Sequence, residues 1–445
     1  MPGVALATTR TAPSWTGRRV TLMGLGRHGG GTGAAKYLAQ SGAVLTISDA
    51  GDAEQLKASL ESLSGLPIHA VNTGGHLESD FRAADVVVVN PAVRRDHPCL
   101  QVARESGAQL TSEIEIFLQA SPAPTIGVTG SNGKSTTATM LAEMLKAAGL
   151  RTWLGGNIGG SLLGALPQMS GDDWVVLELS SFQLAHLSDH APACAMAVIT
   201  NFAPNHLDWH GSLPEYAAAK RRLLNAPTTL AVVDAHDPTL ADWVASRDGA
   251  SRPSWPLAAV PPLSIPGEHN RRNAACAAAA AEALGVPPTT IRRVLRDFRG
   301  LEHRLQFVGE VDGVRFYNDS KSTSPHATMA ALRALRGPVW LLAGGTAKGA
   351  DLRELAAHAA ERICGAAVFG RSRQDLAVAL QDAKGSDTLH ACETLAEAVA
   401  WCRSRARPGD SVLLSPACAS HDQFADYRER GSAFCELVRS LAPSR

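Results

Sequence analysis

The stretch SPAPTIGVTGSNGKST, residues 121–136, sets the frame for the whole chain. Two prolines give way to an apolar, β-branched run, TIGVT, which reads as a buried strand. The run opens into small residues and closes on Gly133-Lys134-Ser135, the ending of a phosphate-binding loop. Strict spacing would put the leading glycine at position 128, where this chain has Val128 and the glycine stands one place earlier. The physics tolerates the extra residue. Backbone N–H groups of Gly130, Ser131, Asn132 and Gly133 can face β- and γ-phosphates, and Lys134 adds positive charge. Ser135, with Thr136 beside it, offers a hydroxyl to Mg²⁺. These residues predict a nucleoside triphosphate site.

Outward from this loop, apolar runs alternate with helix-like segments in the pattern of parallel sheets covered by helices. Upstream lie RRVTLMGLG (18–26), AVLTISD (43–49) and DVVVVN (85–90). Downstream the series continues with WVVLELS (174–180), AMAVITN (195–201) and TLAVVDA (229–235). After the Pro-rich WPLAAVPPLSIPG (255–267) an Ala-rich helix is expected near 269–284, with alanine serving propensity and close packing. A last series holds VRFYNDS (314–320), VWLLAGG (339–345), AAVFG (366–370) and SVLLSPA (411–417). Three α/β domains follow, which suits 445 residues.

A second glycine loop, GLGRHG, spans Gly24, Gly26, Arg27, His28 and Gly29, with Asp49 closing the next strand. That is the fingerprint of a diphosphate held at a helix N-terminus, with the acid about 20 residues on. It does not name the ligand, since NAD and UDP carry the same diphosphate. Glu178 ends an apolar strand, where carboxylates meet a Mg²⁺ held by phosphates. ITNFAPNH leaves another strand and reaches His206; following a phosphate loop, the two suggest a two-metal phosphoryl-transfer centre.

Composition removes several classes. Lysine plus arginine balance the acids at 42 each, with no dense basic block, so bulk nucleic acid and membrane surfaces are not expected partners. No uncharged apolar run of about 18 residues occurs. Residues 1–17 lack the apolar core of a secretory signal and read as an N-terminal extension. The 8 cysteines are scattered without CxxC spacing, which fits reduced thiols and a cytoplasmic protein.

TGSNGKST, LELSSFQL, NHLDWH with EYAAAK, GEHNRRN, GLEHR, NDSKST and SPACASHDQF occur in the order of the Mur ligases, and the chain resembles that family over nearly all its length after residue 17. The likeness is to the branch that joins glutamate to UDP-N-acetylmuramoyl-L-alanine. It implies an α/β protein with a Rossmann-like UDP-binding domain (18–112), a central P-loop-type ATPase domain (113–300) and a C-terminal Rossmann-like, amino-acid-binding domain (301–445). It implies ATP and two Mg²⁺ ions, an acyl-phosphate intermediate, and a monomer. By the same likeness Ser135 and Glu178 hold one Mg²⁺, while His206 and Lys220 hold the other, Lys220 as a carbamate formed from CO₂. Charge makes that reasonable: an ammonium about 4 Å from Mg²⁺ would cost roughly 8 kcal/mol at an effective dielectric of 20. The resemblance assigns Asn157 and Ser180 to the muramoyl portion, and leaves Asp49 a place beside the uracil. Asn270, Asn273, Arg304, Asp319 and Lys321 go to the nucleotide; Thr323, Lys348, Ser420 and Tyr427 go to the glutamate. Two alternatives remain: a sister ligase adding another amino acid (L-glutamate included), and a P-loop regulatory ATPase. A nicotinamide dehydrogenase would explain GLGRHG but leave GSNGKST and the C-terminal motifs without a role.

Overall fold

A computed structural model describes residues 13–26, 29–347, 352–384 and 388–441, and places three sheets in succession along the chain. The first has β1 (Arg19–Met23), β2 (Val44–Asp49), β3 (Ile68–Thr73), β4 (Val86–Val89) and β5 (Gln109–Thr111), all parallel, in the order β3-β2-β1-β4-β5. The second has β6 (Thr125–Thr129), β7 (Thr152–Gly156), β8 (Trp174–Glu178), β9 (Met196–Ile199), β10 (Leu230–Val233) and β11 (Ser251–Pro253). It too is parallel, in the order β11-β10-β9-β6-β8-β7. The third has β12 (Gln306–Val311), β13 (Val314–Asn318), β14 (Val339–Gly344), β15 (Ile363–Phe369), β16 (Leu389–Ala391) and β17 (Ser411–Ala417), in the order β12-β13-β17-β14-β15-β16. There β12 pairs antiparallel with β13 and the other pairs are parallel. The expected α/β class is what the structure has.

Central strands read as unbroken apolar runs because helices cover both faces. Val86–Val89 and Val175–Leu177 are all buried, each side chain contributing about 1.5–3 kcal/mol relative to exposure. The Ala-rich segment forms the helix Glu268–Ala283, and Ala274–Ala281, with Cys276 among them, have no exposed surface. Small side chains let neighbouring elements approach that helix closely.

The described residues group into two compact units. One runs to Val260 and includes Arg272–Val294; the other comprises Pro261–Arg271 and the chain from Leu295. In the first unit, the strand order reverses between β1 and β4 and again around β6, which opens crevices beyond the carboxyl ends of those strands. Gly24 and Asn90 follow β1 and β4, and the phosphate loop follows β6. In the second unit β17 lies between β13 and β14, and the NDSKST and SPACAS segments leave the ends of β13 and β17.

Candidate active site

The phosphate loop is built as a rigid cradle. Gly133 caps the helix Lys134–Ala147 with φ 79°. A Cβ there would stand 2.1 Å from Asn273 Oδ1, so only glycine fits between the loop and that side chain. Residues after β9 brace the loop from behind. Thr200 Oγ1 donates to Asn132 O (2.6 Å), and the Asn201 amide both accepts from Asn132 N (2.9 Å) and donates to Asn132 O (2.9 Å). Ser131 Oγ donates to Ala203 O (2.8 Å) and accepts from Ala203 N (2.9 Å) and the Tyr216 hydroxyl (3.0 Å). Ser135 is buried in the first turn, with Thr136 half-buried after it. Lys134 Nζ donates to Gly130 O and Ser131 O, each at 3.1 Å.

Lys220 reaches the same point from the helix Leu213–Arg221. Its side chain is 1% exposed; Nζ donates to Gly130 O at 2.7 Å and lies 4.7 Å from the centre of the Tyr216 ring. Burial first, and the Lys134 charge second, push this amine down to about 6, so it is largely neutral near pH 7. Glu178 ends β8, paired beside β6, and is 1% exposed. Its Oε1 accepts from Asn157 Nδ2 (2.9 Å), whereas Oε2 is buried with no hydrogen-bond partner among the described residues. An unmatched carboxylate oxygen in that position is costly unless a cation or donor meets it. His206 sits at φ 53°, just ahead of the single turn Leu207–His210, with its ring 4.8 Å from Phe182. Burial and then Lys134 lower its pKa and favour the neutral imidazole that can act as a ligand. The second histidine of HLDWH turns away: His210 is buried, 3.0 Å from Ser181 Oγ, and stacks on Phe182. Among the described residues no three His, Cys, Asp or Glu side chains gather into a metal cluster. The candidates Ser135, Glu178 and His206 would bring hard oxygens plus one imidazole, a chemistry that suits Mg²⁺ completed by phosphate and water oxygens.

A cleft of about 510 Å³ within the first unit gathers Gly24, Gly26, Asn90, Glu113, Asn157 and Ser180 on its walls. At Gly24 a Cβ would stand 2.7 Å from Asn90 Cβ, and Asn90 Nδ2 donates to Gly24 O (3.0 Å). Asp49 accepts from Gly26 N (3.0 Å) and Gly51 N (2.7 Å), so the carboxylate also fixes the glycine loop. Gly29 caps the following helix, while Arg27 and His28 lie outside the described residues. Ser180 forms a reciprocal capping box with Gln183. Glu113 was not singled out from the sequence. Ser161 Oγ donates to it at 2.5 Å, and burial pushes its carboxyl up to about 7.

In the second unit, Asp319 accepts from Leu305 N (3.0 Å) and Ser415 Oγ (2.8 Å), and burial raises its carboxyl to about 6. Lys321 Nζ lies 5.4 Å from the centre of the Tyr427 ring; Ser420 is buried, whereas Thr323 and Arg304 are exposed. Asn270 donates to Pro266 O (2.6 Å), three residues before Asn273 on one helix. Lys348 lies outside the described residues. The sequence also gave no notice of Arg430. Fully buried, it donates to Ser320 Oγ (3.0 Å), Ser320 O (2.9 Å), Gly344 O (3.2 Å) and Cys418 O (3.2 Å), tying together the ends of β13, β14 and β17. No sequence signal separates it from the arginines that stay in water. Thr200, Asn201 and Tyr216 could have been found, since they flank the strand beside β6 and precede Lys220.

Known protein families match this chain in all three of its sheets. Residues 18–112 match the Mur ligase MurD-like N-terminal domain, 128–253 the Mur ligase middle domain, and 303–418 the Mur ligase glutamate ligase domain. The UDP-N-acetylmuramoylalanine–D-glutamate ligase of Pelotomaculum thermopropionicum is 37% identical, covering 96% of this chain and 98% of its own. That of a Roseiflexus species is 38% identical, with 96% and 99% covered. The solved UDP-N-acetylmuramate-alanine ligase of Thermotoga maritima shares the fold at TM-score 0.56 and 19% identity, covering 95% of this chain and 99% of that one. With full-length relatives at this identity and matches along all three sheets, the chain belongs to the Mur ligase family.

Proposed function

We propose that this chain is an ATP-dependent ligase that joins D-glutamate to UDP-N-acetylmuramoyl-L-alanine in the making of peptidoglycan precursors. The observation that carries this reading is the meeting at Gly130 of a phosphate loop and two lysines, one of them buried with a depressed pKa, beside a glutamate with a free buried oxygen. The names of the full-length relatives supply the acid and the amine. In the reaction the alanyl carboxylate attacks the γ-phosphate and ADP leaves; the glutamate amine then attacks the acyl phosphate, losing a proton as phosphate departs. The loop N–H groups and Lys134 draw charge off the phosphates as two anions are brought together.

Ser135 and Glu178 would hold one Mg²⁺, and His206 with Lys220 the second; bound there, the ions would neutralise the negative charge that otherwise keeps carboxylate and triphosphate apart. Lys220 takes part as a carbamate. Its neutral Nζ forms a bond to the carbon of CO₂ and releases one proton, which turns a potential cation into an oxygen donor. Asn157 orients Glu178 through the bond to Oε1. Gly24, Gly26, Arg27, His28, Gly29, Asp49, Asn157 and Ser180 serve the UDP substrate. Asn270, Asn273, Arg304, Asp319 and Lys321 serve the nucleotide, and Thr323, Lys348, Ser420 and Tyr427 the glutamate. The working division is 18–112 for UDP, 113–300 for ATP and 301–445 for the amino acid, after an extension of 17 residues. We take the enzyme to act as a cytoplasmic monomer on small molecules alone; no helix among the described residues is long and apolar enough to cross a membrane.

Phosphate release by the purified chain tests this directly. With ATP, Mg²⁺ and UDP-N-acetylmuramoyl-L-alanine, D-glutamate should drive release, while L-glutamate, L-alanine, diaminopimelate and no amino acid should not. Equal release with diaminopimelate would make it a sister ligase, and release without any amino acid a simple ATPase.

A further inference from the structure

A second cleft, of about 440 Å³, opens on another face of the helix that carries Lys220. Glu215, Ala218 and Ala219 line it at helical spacing, with Arg222 just beyond the helix end. The facing wall comes from the chain after β4, with Arg94, Arg95 and Asp96, and from Arg104 on the helix Pro98–Glu105. Four guanidinium groups thus meet two carboxylates. Arg94 is committed: it grips Asp96 through two bonds of 3.1 Å and donates to Asp208 O (3.1 Å). Arg222 donates to Leu187 O and lies 3.3 Å from Asp189, a carboxylate 85% exposed. Arg104 spends one N–H on Arg95 O (3.1 Å). Neither Arg95 nor Arg104 has a carboxylate partner among the described residues. Their field reaches inward: the half-buried His186, 2.8 Å from Val93 O, is held down at about 4, chiefly by burial and in smaller part by the charges of Arg95 and Arg104.

Positive charge in excess on the wall after β4, with the Arg222 guanidinium on the other side of the cleft, is an arrangement that takes a multiply charged oxyanion, and guanidinium forks suit phosphate oxygens. We propose that this cleft binds a small phosphate-bearing polyanion of the pyrophosphate type, at a site separate from the phosphate loop. Such an anion, held by Arg95 and Arg104 on one side and Arg222 on the other, ties the segment after β4 to the helix of Lys220. Asn90, Pro91 and Ala92 of that segment line the substrate cleft, and Trp209 lines both clefts while donating to Ala92 O (3.3 Å). Occupancy therefore touches the wall of the substrate site without entering it.

The test is calorimetric titration of the full chain with inorganic pyrophosphate, and in parallel with ATP, since the phosphates could come free or on a nucleotide. Wild type should show two classes of pyrophosphate site. Lys134→Gln should remove the class belonging to the phosphate loop. Arg95→Gln with Arg104→Gln should weaken the other by roughly tenfold or more while leaving ATP binding at the loop and turnover unchanged. Raising the salt should weaken the arginine site several-fold, as expected for partly exposed charges. In the Lys134→Gln background, binding of pyrophosphate alone identifies a free polyphosphate and binding of ATP as well identifies a nucleotide. A double arginine variant that binds pyrophosphate as wild type does, or a Lys134→Gln protein that binds neither ligand, overturns the proposal.

Discussion

Lys220 has almost no contact with water, and a cation so placed would face Lys134 across Gly130 O; neutralisation relieves that conflict, and the proposed carbamate would take the place of the cation. Lys220→Ala should therefore lower kcat by roughly a thousandfold, as removal of a major electrostatic element does. Lys220→Arg should be as poor, because a guanidinium keeps its proton and takes up no CO₂. Short carboxylic acids should restore part of the activity to Lys220→Ala and none to Lys220→Arg. Full turnover by unrescued Lys220→Ala would end the carbamate assignment. Glu113 makes a separate prediction at this scale. Its carboxyl is raised to about 7, chiefly by burial, above the unfolded value. The folded state thus holds a proton that the unfolded chain gives up between about pH 4.5 and 7. Its stabilisation is intact below that window, is lost as pH rises through it, and the penalty is constant above. The stability of Glu113→Gln relative to wild type should rise by about 3 kcal/mol across the window, read as denaturant midpoints at each pH. A difference that stays flat from pH 4 to 8 would remove Glu113 as a protonated group.

Among the elements, the phosphate loop and its helix work as one device, and Gly133 is where they join. Alanine at φ 79° costs about 1–2 kcal/mol, and its methyl would press on Asn273. Gly133→Ala should raise KM for ATP by roughly tenfold with the KM for the UDP substrate little changed; equal rises in both would mean that the whole unit has been distorted. This loop was readable in the sequence because its chemistry and its backbone demands fall on adjacent residues. So were β2, β4, β8, β9 and β17, whose apolar runs record burial on both faces. The edge strands were harder. β3 and β12 are half-exposed, IHAVNT and QFVGEV, and their mixed composition carries no continuous apolar signal. The antiparallel β12–β13 pair went unread for that reason. Sites assembled from distant segments were the least legible. Glu113 meets Ser161, and Arg430 meets Ser320, Gly344 and Cys418, across separations that no local pattern encodes. Asp49 was legible as an acid in the right place, yet its bonds to Gly26 N and Gly51 N appear only once the loop is folded.

For the whole molecule, the division of labour can be put to the test without trapping the reaction. The described residues proposed for the UDP substrate, from Gly24 to Ser180, all lie in the unit that runs to Val260. Those proposed for glutamate, Thr323, Ser420 and Tyr427, all lie in the unit that contains the third sheet. A ligand stabilises what it binds: at a hundred times its Kd it adds about 2.7 kcal/mol, which slows exchange of the amides it protects by roughly a hundredfold. UDP-N-acetylmuramoyl-L-alanine alone should therefore slow hydrogen exchange in peptides covering residues 24–26, 90–92, 156–160 and 180–183. Peptides covering 320–324 and 417–427 should exchange as in the free protein, because opening there neither requires nor releases that ligand. Mass spectrometry of the exchanged peptides reads both outcomes in one experiment. Protection as strong around Ser420 as around Gly24 would show that the acid substrate is not confined to the first unit, and the assignment of Thr323, Ser420 and Tyr427 to glutamate would have to be given up.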